Sequence, residues 1–167
     1  MNHHELLAFL DANSITYTEI THPPVYTCEQ ADIYTRNAAG IGTKNLFLRD
    51  ERLDTYYYLM TLREKRIDFK QLCKTLVAHK LTFASIEQVN TCMGVEPGAI
   101  SILGLINDTQ REIKVIIDKC LWEYDVFQCH PLINNATLII SRKDIEKFLS
   151  LTGREINLIE IPCNSLK

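Results

Sequence analysis

The chain has 167 residues, 46% of them hydrophobic and 23% charged, a balance ordinary for a globular domain, and no apolar run approaches the length that crosses a membrane. Its net charge of −3 and sequence pI near 5.9 exclude a global positive field that would draw it along nucleic acid. Any RNA contact must therefore be a local patch or a grip on one end. The six cysteines, Cys28, Cys73, Cys92, Cys120, Cys129 and Cys163, include no C-x-x-C pair and no zinc-ligand spacing. The start MNHHELLAF has no apolar h-region, so these read as buried reduced thiols in a cytoplasmic protein with no membrane association.

Taken in chain order, Leu6, Leu7 and Leu10 share one face of a helix over residues 3–12. ITYTEI (15–20) alternates and is rich in β-branched residues, which predicts a strand. The prolines of HPPVY (22–26) impose an extended loop, and Thr27 with Gln30 predicts a capping box at a short helix. Gly40 and Gly42 predict a tight turn delivering Lys44 and Asn45 to the mouth of the strand NLFLR, and TYYYLMTL (55–62) returns as its hairpin partner. Asp68 caps an amphipathic helix with Phe69, Leu72, Leu76 and Val77 inward. LTFA is a short strand, and Ser85 with Gln88 opens a helix that Gly94 stops.

GVEPGAIS follows as a constrained loop and LGLIND as a turn. IKVIID (113–118), VFQCH (126–130) and ATLIIS (136–141) predict strands. Ser141 starts a helix over 142–151 that ends at Gly153, and INLIEI is a last strand. The expected fold is one α+β domain over residues 1–167, with a mixed, mainly antiparallel, curved or barrel-like sheet and surrounding helices. Neither a P-loop nor a Rossmann fingerprint is present.

Three places could carry chemistry. Lys44 with Asn45 could meet a phosphate or an ester carbonyl, although in isolation Lys44 reads as one of 18 basic residues on a solvated surface. Gly94 to Gly98 could offer backbone amides to a developing oxyanion, or could be a structural turn. His130, locked by Pro131, could bond a substrate or carry a proton, while burial against backbone is the commoner fate of such a histidine. Cys129 adjoins His130, but neighbours on a strand face opposite ways, so the pair cannot act together. Lys65, Arg66, Lys70, Lys74 and Lys80 read equally as a basic strip or as a solvated face.

In this order those places resemble the prolyl-tRNA editing family, which includes YbaK-type proteins and the insertion domain of bacterial prolyl-tRNA synthetases. HPPVYTCEQA (22–31), GTKNLFLRD (42–50), KRIDFKQL (65–72), LTFAS (81–85), GVEPGAISILGLIND (94–108), KVIIDK (114–119) and HPLINNATLIISRKDIEKFL (130–149) carry the resemblance. The TKNLFL and HPLINNATL segments are most similar to the branch of free-standing alanyl-tRNA(Pro) deacylases, ProXp-ala.

The resemblance implies a YbaK-like editing fold and an aminoacyl-tRNA hydrolase that removes alanine from mischarged tRNA(Pro). A smaller amino acid is excluded from a synthetase pocket by only ~1–3 kcal/mol, which calls for a second hydrolytic sieve. The family's functional residues fall on Lys44, Gly94, Gly98 and His130, with Asn45, Val95, Pro97 and Asn134 binding substrate. The expected partners are the acceptor end of tRNA(Pro) and prolyl-tRNA synthetase. No cofactor, metal or protein nucleophile is implied. Two alternatives stand beside this reading: a deacylase for cysteine or serine/threonine, and a non-catalytic module that binds tRNA or an amino acid.

Overall fold

The computed structural model describes residues 1–96 and 98–164. The expected α+β class is found: among the described residues are six α-helices, one 3-10 helix and eight strands, in which α1 (His3–Ala12), β1 (Tyr17–Thr21) and α2 (Cys28–Thr35) come first. The hairpin follows as β2 (Ile41–Asp50) and β3 (Thr55–Leu62), then α3 (Phe69–Thr75), β4 (Leu81–Phe83) and α4 (Ile86–Met93). A 3-10 helix (Ile102–Asn107) leads to β5 (Ile113–Asp118) and the short α5 (Lys119–Trp122). The chain closes with β6 (Val126–Cys129), β7 (Ala136–Ser141), α6 (Arg142–Leu151) and β8 (Ile156–Ile159).

The helix starts follow local chemistry. Asp68 and Ser85 accept from the backbone amides of Gln71 and Gln88, and Gln88 returns the bond to Ser85, which satisfies the orphan donors of the first turn. At α2 the Thr27 hydroxyl accepts from Gln30, but the Gln30 side chain accepts from the Tyr26 amide instead of closing a box on Thr27. Gly94 ends α4 in the left-handed conformation. LGLIND, expected as a turn, is the 3-10 helix, and α5 carries no periodic signal in its four residues. Val77, expected inward, lies past the end of α3 with a positive φ of 53 and is 84% exposed.

The sheet runs β1-β7-β6-β2-β3-β5-β8, with β4 added on β2. It is mixed as expected: β1/β7, β6/β7, β2/β3 and β2/β4 are antiparallel, while β2/β6, β3/β5 and β5/β8 are parallel. Strand β2 is the hinge of this arrangement. Its first residues pair with β6 (Ile41↔Phe127, Gly42↔Gln128) and its last with β4 (Leu48↔Phe83, Asp50↔Leu81). Residues 43–47 lie between those two partners, and the functional site forms beside them.

Alternation along β2 and β3 serves two cores. Phe47, Tyr58 and Met60 join the larger one, with Leu6, Leu10, Phe127, Leu138, Ile145 and Phe148. Leu48, Tyr57 and Leu59 join Leu72, Leu81, Ile116 and Ile161 on the other face. Both faces are covered, so the central strands are nearly continuous in apolar residues.

Candidate active site

A cavity of about 180 Å³ opens beside β2, between α2, the Gly98–Ile100 segment and the ends of β6 and β7. Thr43 and Asn45 form one wall, Gln128, His130 and Thr137 the other, and Tyr26, Thr27, Cys28, Ala31, Thr35 and Arg63 complete it with Gly98 and Ile100. It joins three of the places singled out in the sequence: Asn45, Gly98 and His130.

His130 closes β6. Its Nδ1 lies 2.8 Å from the Ala136 carbonyl, which can only accept, so Nδ1 bears the hydrogen and Nε2 of the neutral ring bears a lone pair. Burial pushes its pKa below the usual histidine value; the Ala136 bond opposes this, and His22 and Arg63 add to it. The His130 carbonyl accepts from buried Ser101 at 2.5 Å, which ties the 94–101 segment to this strand end.

His22, which carried no constellation in the sequence, lies behind His130 with ring centroids 6.1 Å apart. It is stacked on Tyr34, donates from Nδ1 to the Pro23 carbonyl and shares Nε2 with the Thr137 hydroxyl at 2.9 Å. Gln128 is fixed by three backbone carbonyls, of Thr35, Ala39 and Gly40, all accepting from Nε2. Its amide oxygen is therefore an acceptor turned elsewhere, with no donor among the described residues.

Gly98 has φ +89, and a Cβ there would sit 2.8 Å from the Val25 carbonyl oxygen and 3.6 Å from the Asn134 amide nitrogen. Asn134 is a neighbour of Gly98 and holds Val25 through its carbonyl, but it is not among the lining residues. Gly94 belongs to the end of α4, over Asn107, and Val95 is buried in the larger core, so neither lines the cavity. Pro97 lies outside the described residues.

Lys44 points to the opposite side of β2 from Asn45, as strand parity requires. Its amine donates to the Lys65 carbonyl at 2.8 Å, and Lys65 in turn pairs with buried Asp118. The cation that does line the cavity is Arg63, which the sequence reading missed. Its guanidinium occupies the space that a Cβ on Gly42 would fill, and it pairs with Asp32 of α2. Gly42 is thus a strand residue whose missing side chain makes room for Arg63, not part of a turn. A glycine facing an arginine about twenty residues away leaves no local signal in a sequence.

The cysteines are all free, but only Cys129 is buried. Cys120 and Cys163 are exposed, and Cys28, at the start of α2, lines the cavity. Burial pushes the Cys129 thiol up to about 12, which makes it inert. Among the described residues no group of three or more His, Cys, Asp or Glu converges as metal ligands, and no helix is long and apolar enough to cross a membrane.

Comparison with known proteins places these residues in a family. The model of the aminoacyl-tRNA editing domain matches residues 22–148, from His22 behind the cavity to Phe148 in the core. The prolyl-tRNA editing protein ProX of Acetoanaerobium sticklandii is 34% identical over 156 residues, covering 93% of this chain and 95% of that protein. Prolyl-tRNA synthetase associated domain-containing protein 1 of Danio rerio is 32% identical over 151 residues, 89% of this chain and 81% of that one. A solved structure described as a candidate trans-editing enzyme for prolyl tRNA synthetase has the same fold, with a TM-score of 0.72 at 16% identity, covering 97% of each chain. The chain belongs to the aminoacyl-tRNA editing domain family.

Proposed function

We propose that the chain acts as a single editing domain that hydrolyses the ester of alanine misattached to tRNA(Pro). The observation that carries this reading is the polarity of the cavity. The β6–β7 wall carries residues with a free acceptor, the His130 Nε2 lone pair and the Gln128 amide oxygen, and the β2 wall carries Thr43 and Asn45, whose hydroxyl and amide can donate. An aminoacyl ester has the complementary polarity, with an amino group and a ribose hydroxyl on one side of the acyl carbon and a carbonyl oxygen on the other.

In this reaction the water oxygen bonds to the acyl carbon, and the bond from that carbon to the ribose oxygen breaks. One water proton ends on the ribose oxygen, and the products are the free amino acid and intact tRNA. His130, neutral and with Nε2 unprotonated, orients the water or the ribose hydroxyl and accepts a proton in passing. An aminoacyl ester is already activated, so positioning supplies much of the rate and no protein nucleophile is needed; Cys28 is given no covalent role.

Arg63 supplies the positive charge for the terminal nucleotide. Lys44, which the resemblance makes a functional residue, acts one step away: it grips the Lys65 carbonyl and so holds the turn that carries Arg63. Tyr26, 67% exposed at the mouth, offers a face for the terminal base. The partner is the acceptor end of tRNA(Pro), delivered with or after prolyl-tRNA synthetase. Few phosphates need be gripped, which suits a net charge of −3.

The test is deacylation of alanyl-, cysteinyl-, seryl- and prolyl-tRNA(Pro) by wild type and His130→Ala. The expected result is rapid loss of alanine, retention of proline, and a fall of about 10²–10⁴-fold on substitution, the range of general acid–base contributions. Preferential loss of cysteine or serine moves the substrate and keeps the enzyme. A folded protein that hydrolyses none of the four is a binding module.

A further inference from the structure

We propose that Thr43 and Asn45 are the donor pair for the carbonyl oxygen of the scissile ester, and that buried Tyr58 is the positioning residue that sets their polarity. This rests on the ester-hydrolysis reading above and names the residues on which its oxyanion would form.

Thr43 and Asn45 are two apart on β2, so they share a face, and both line the cavity. The Asn45 amide is held at both ends. Its Nδ2 donates to the Thr43 hydroxyl oxygen at 3.0 Å, and its Oδ1 accepts from the Tyr58 hydroxyl at 2.5 Å. Hydroxyls both donate and accept, so the three groups could in principle be bonded in the reverse sense, with the amide flipped.

Tyr58 decides between the two. It is fully buried in the larger core, and Asn45 is the only partner of its hydroxyl among the described residues. The flipped amide would leave the phenol proton buried without an acceptor, a cost of about 1–3 kcal/mol. Burial also holds the phenol well above the usual tyrosine range, so it remains a donor at any working pH.

The rest follows along the chain of bonds. With Nδ2 turned toward Thr43, the hydroxyl oxygen of Thr43 is occupied as an acceptor, and its proton must point away. No acceptor for that proton exists among the described residues. The pair therefore presents donors to the cavity: the Thr43 hydroxyl and the second Nδ2 hydrogen of Asn45. They face a wall of acceptors, so a bound ester is oriented with its carbonyl oxygen toward β2. As water adds, the carbonyl π electrons move onto that oxygen, and the pair stabilises the charge until the ribose oxygen leaves. A fixed donor earns most where charge develops.

The experiment is steady-state deacylation of alanyl-tRNA(Pro) by Thr43→Val, Thr43→Ser, Asn45→Ala, Tyr58→Phe and Asn45→Ala/Tyr58→Phe, with thermal unfolding of each. Thr43→Val keeps the shape and removes the donor. The expected result is a kcat about 10²-fold lower with KM within twofold, as for loss of one oxyanion donor, while Thr43→Ser restores most of the rate. Tyr58→Phe lowers kcat about tenfold alone and not at all in the Asn45→Ala background, because the phenol acts only through that amide. Wild-type kcat in folded Thr43→Val overturns the proposal. So does an equal effect of Tyr58→Phe in both backgrounds, which would make the phenol a packing residue only. Active wild type with insensitive variants removes this inference alone, whereas a wild type that hydrolyses no aminoacyl-tRNA removes it together with the reading it rests on.

Discussion

Cys129 and His130 are chain neighbours with opposite fates, because one faces the core and the other the cavity. The thiol is silenced by burial, while the imidazole keeps one polar partner and one free lone pair. The lowered pKa of His130 fixes the sign of a pH dependence. In the unfolded chain the ring titrates near 6.5; in the folded protein it takes its proton only at lower pH. Above about 6.5 both states are neutral and His130 contributes nothing to the pH slope. As pH falls below that value the unfolded state binds the proton first, so stability declines until the folded value is passed and then levels off. The stability of wild type minus that of His130→Asn is thus expected to be flat on the alkaline side and to fall between the two pKa values. Urea unfolding across a pH series measures it, and a difference that stays flat down to about pH 5 would mean that the ring titrates alike in both states.

The loop after α4 contains two glycines with positive φ, and the structure separates what they do. Gly94 caps a helix, and the nearest atom to an added Cβ is the end of the Asn107 side chain at 2.7 Å. Gly98 meets backbone, the Val25 carbonyl at 2.8 Å and the Tyr26 Cα at 3.2 Å, beside the cavity mouth. Both alanine substitutions are expected to cost about 1–3 kcal/mol for the strained backbone. Only Gly98→Ala should also lower kcat/KM of the folded protein, about tenfold or more, because it displaces the 25–26 segment. Paired unfolding and deacylation measurements check this; equal activity losses for the two would mean that the loop acts as one piece.

These elements also show how far the sequence could be read. Capping chemistry at Asp68, Ser85 and Ser141 is local, and it placed the starts of α3, α4 and α6. The runs of aromatic, β-branched and aliphatic residues at 55–62 and 136–141 are local too, and those strands appear with the predicted bounds. The face of β2 was not legible. Parity says that Lys44 and Asn45 point opposite ways, but which side holds the cavity depends on β6 and α2, distant in the chain. Arg63 over Gly42, His22 behind His130 and Val95 in the core are likewise settled by tertiary packing.

At the scale of the molecule, the site and the main polar lock of the fold are separate. Asp108, at the end of the 3-10 helix, accepts from the amides of Glu112 and Ile113 at the start of β5. Arg154, between α6 and β8, pairs with the same carboxylate at 2.5 Å and donates to the Leu105 carbonyl. Both side chains are more than nine-tenths buried, and neither lines the cavity. A buried pair of this kind costs little to replace whole but much to break, because the survivor is left as an uncompensated charge. Arg154→Met is therefore expected to lose about 3–5 kcal/mol, which in a domain of this size lowers Tm by about 6–20 °C. Arg154→Met/Asp108→Asn should recover part of that loss, since no charge is stranded and the amide oxygen still accepts from one of the two backbone amides, Glu112 or Ile113. At a temperature where all three proteins are folded, their kcat for aminoacyl-tRNA should agree. A fall in kcat without a fall in Tm would place the lock within the catalytic machinery, and an unchanged Tm would show that the pair is not what joins the 3-10 helix, β5 and the α6–β8 connection.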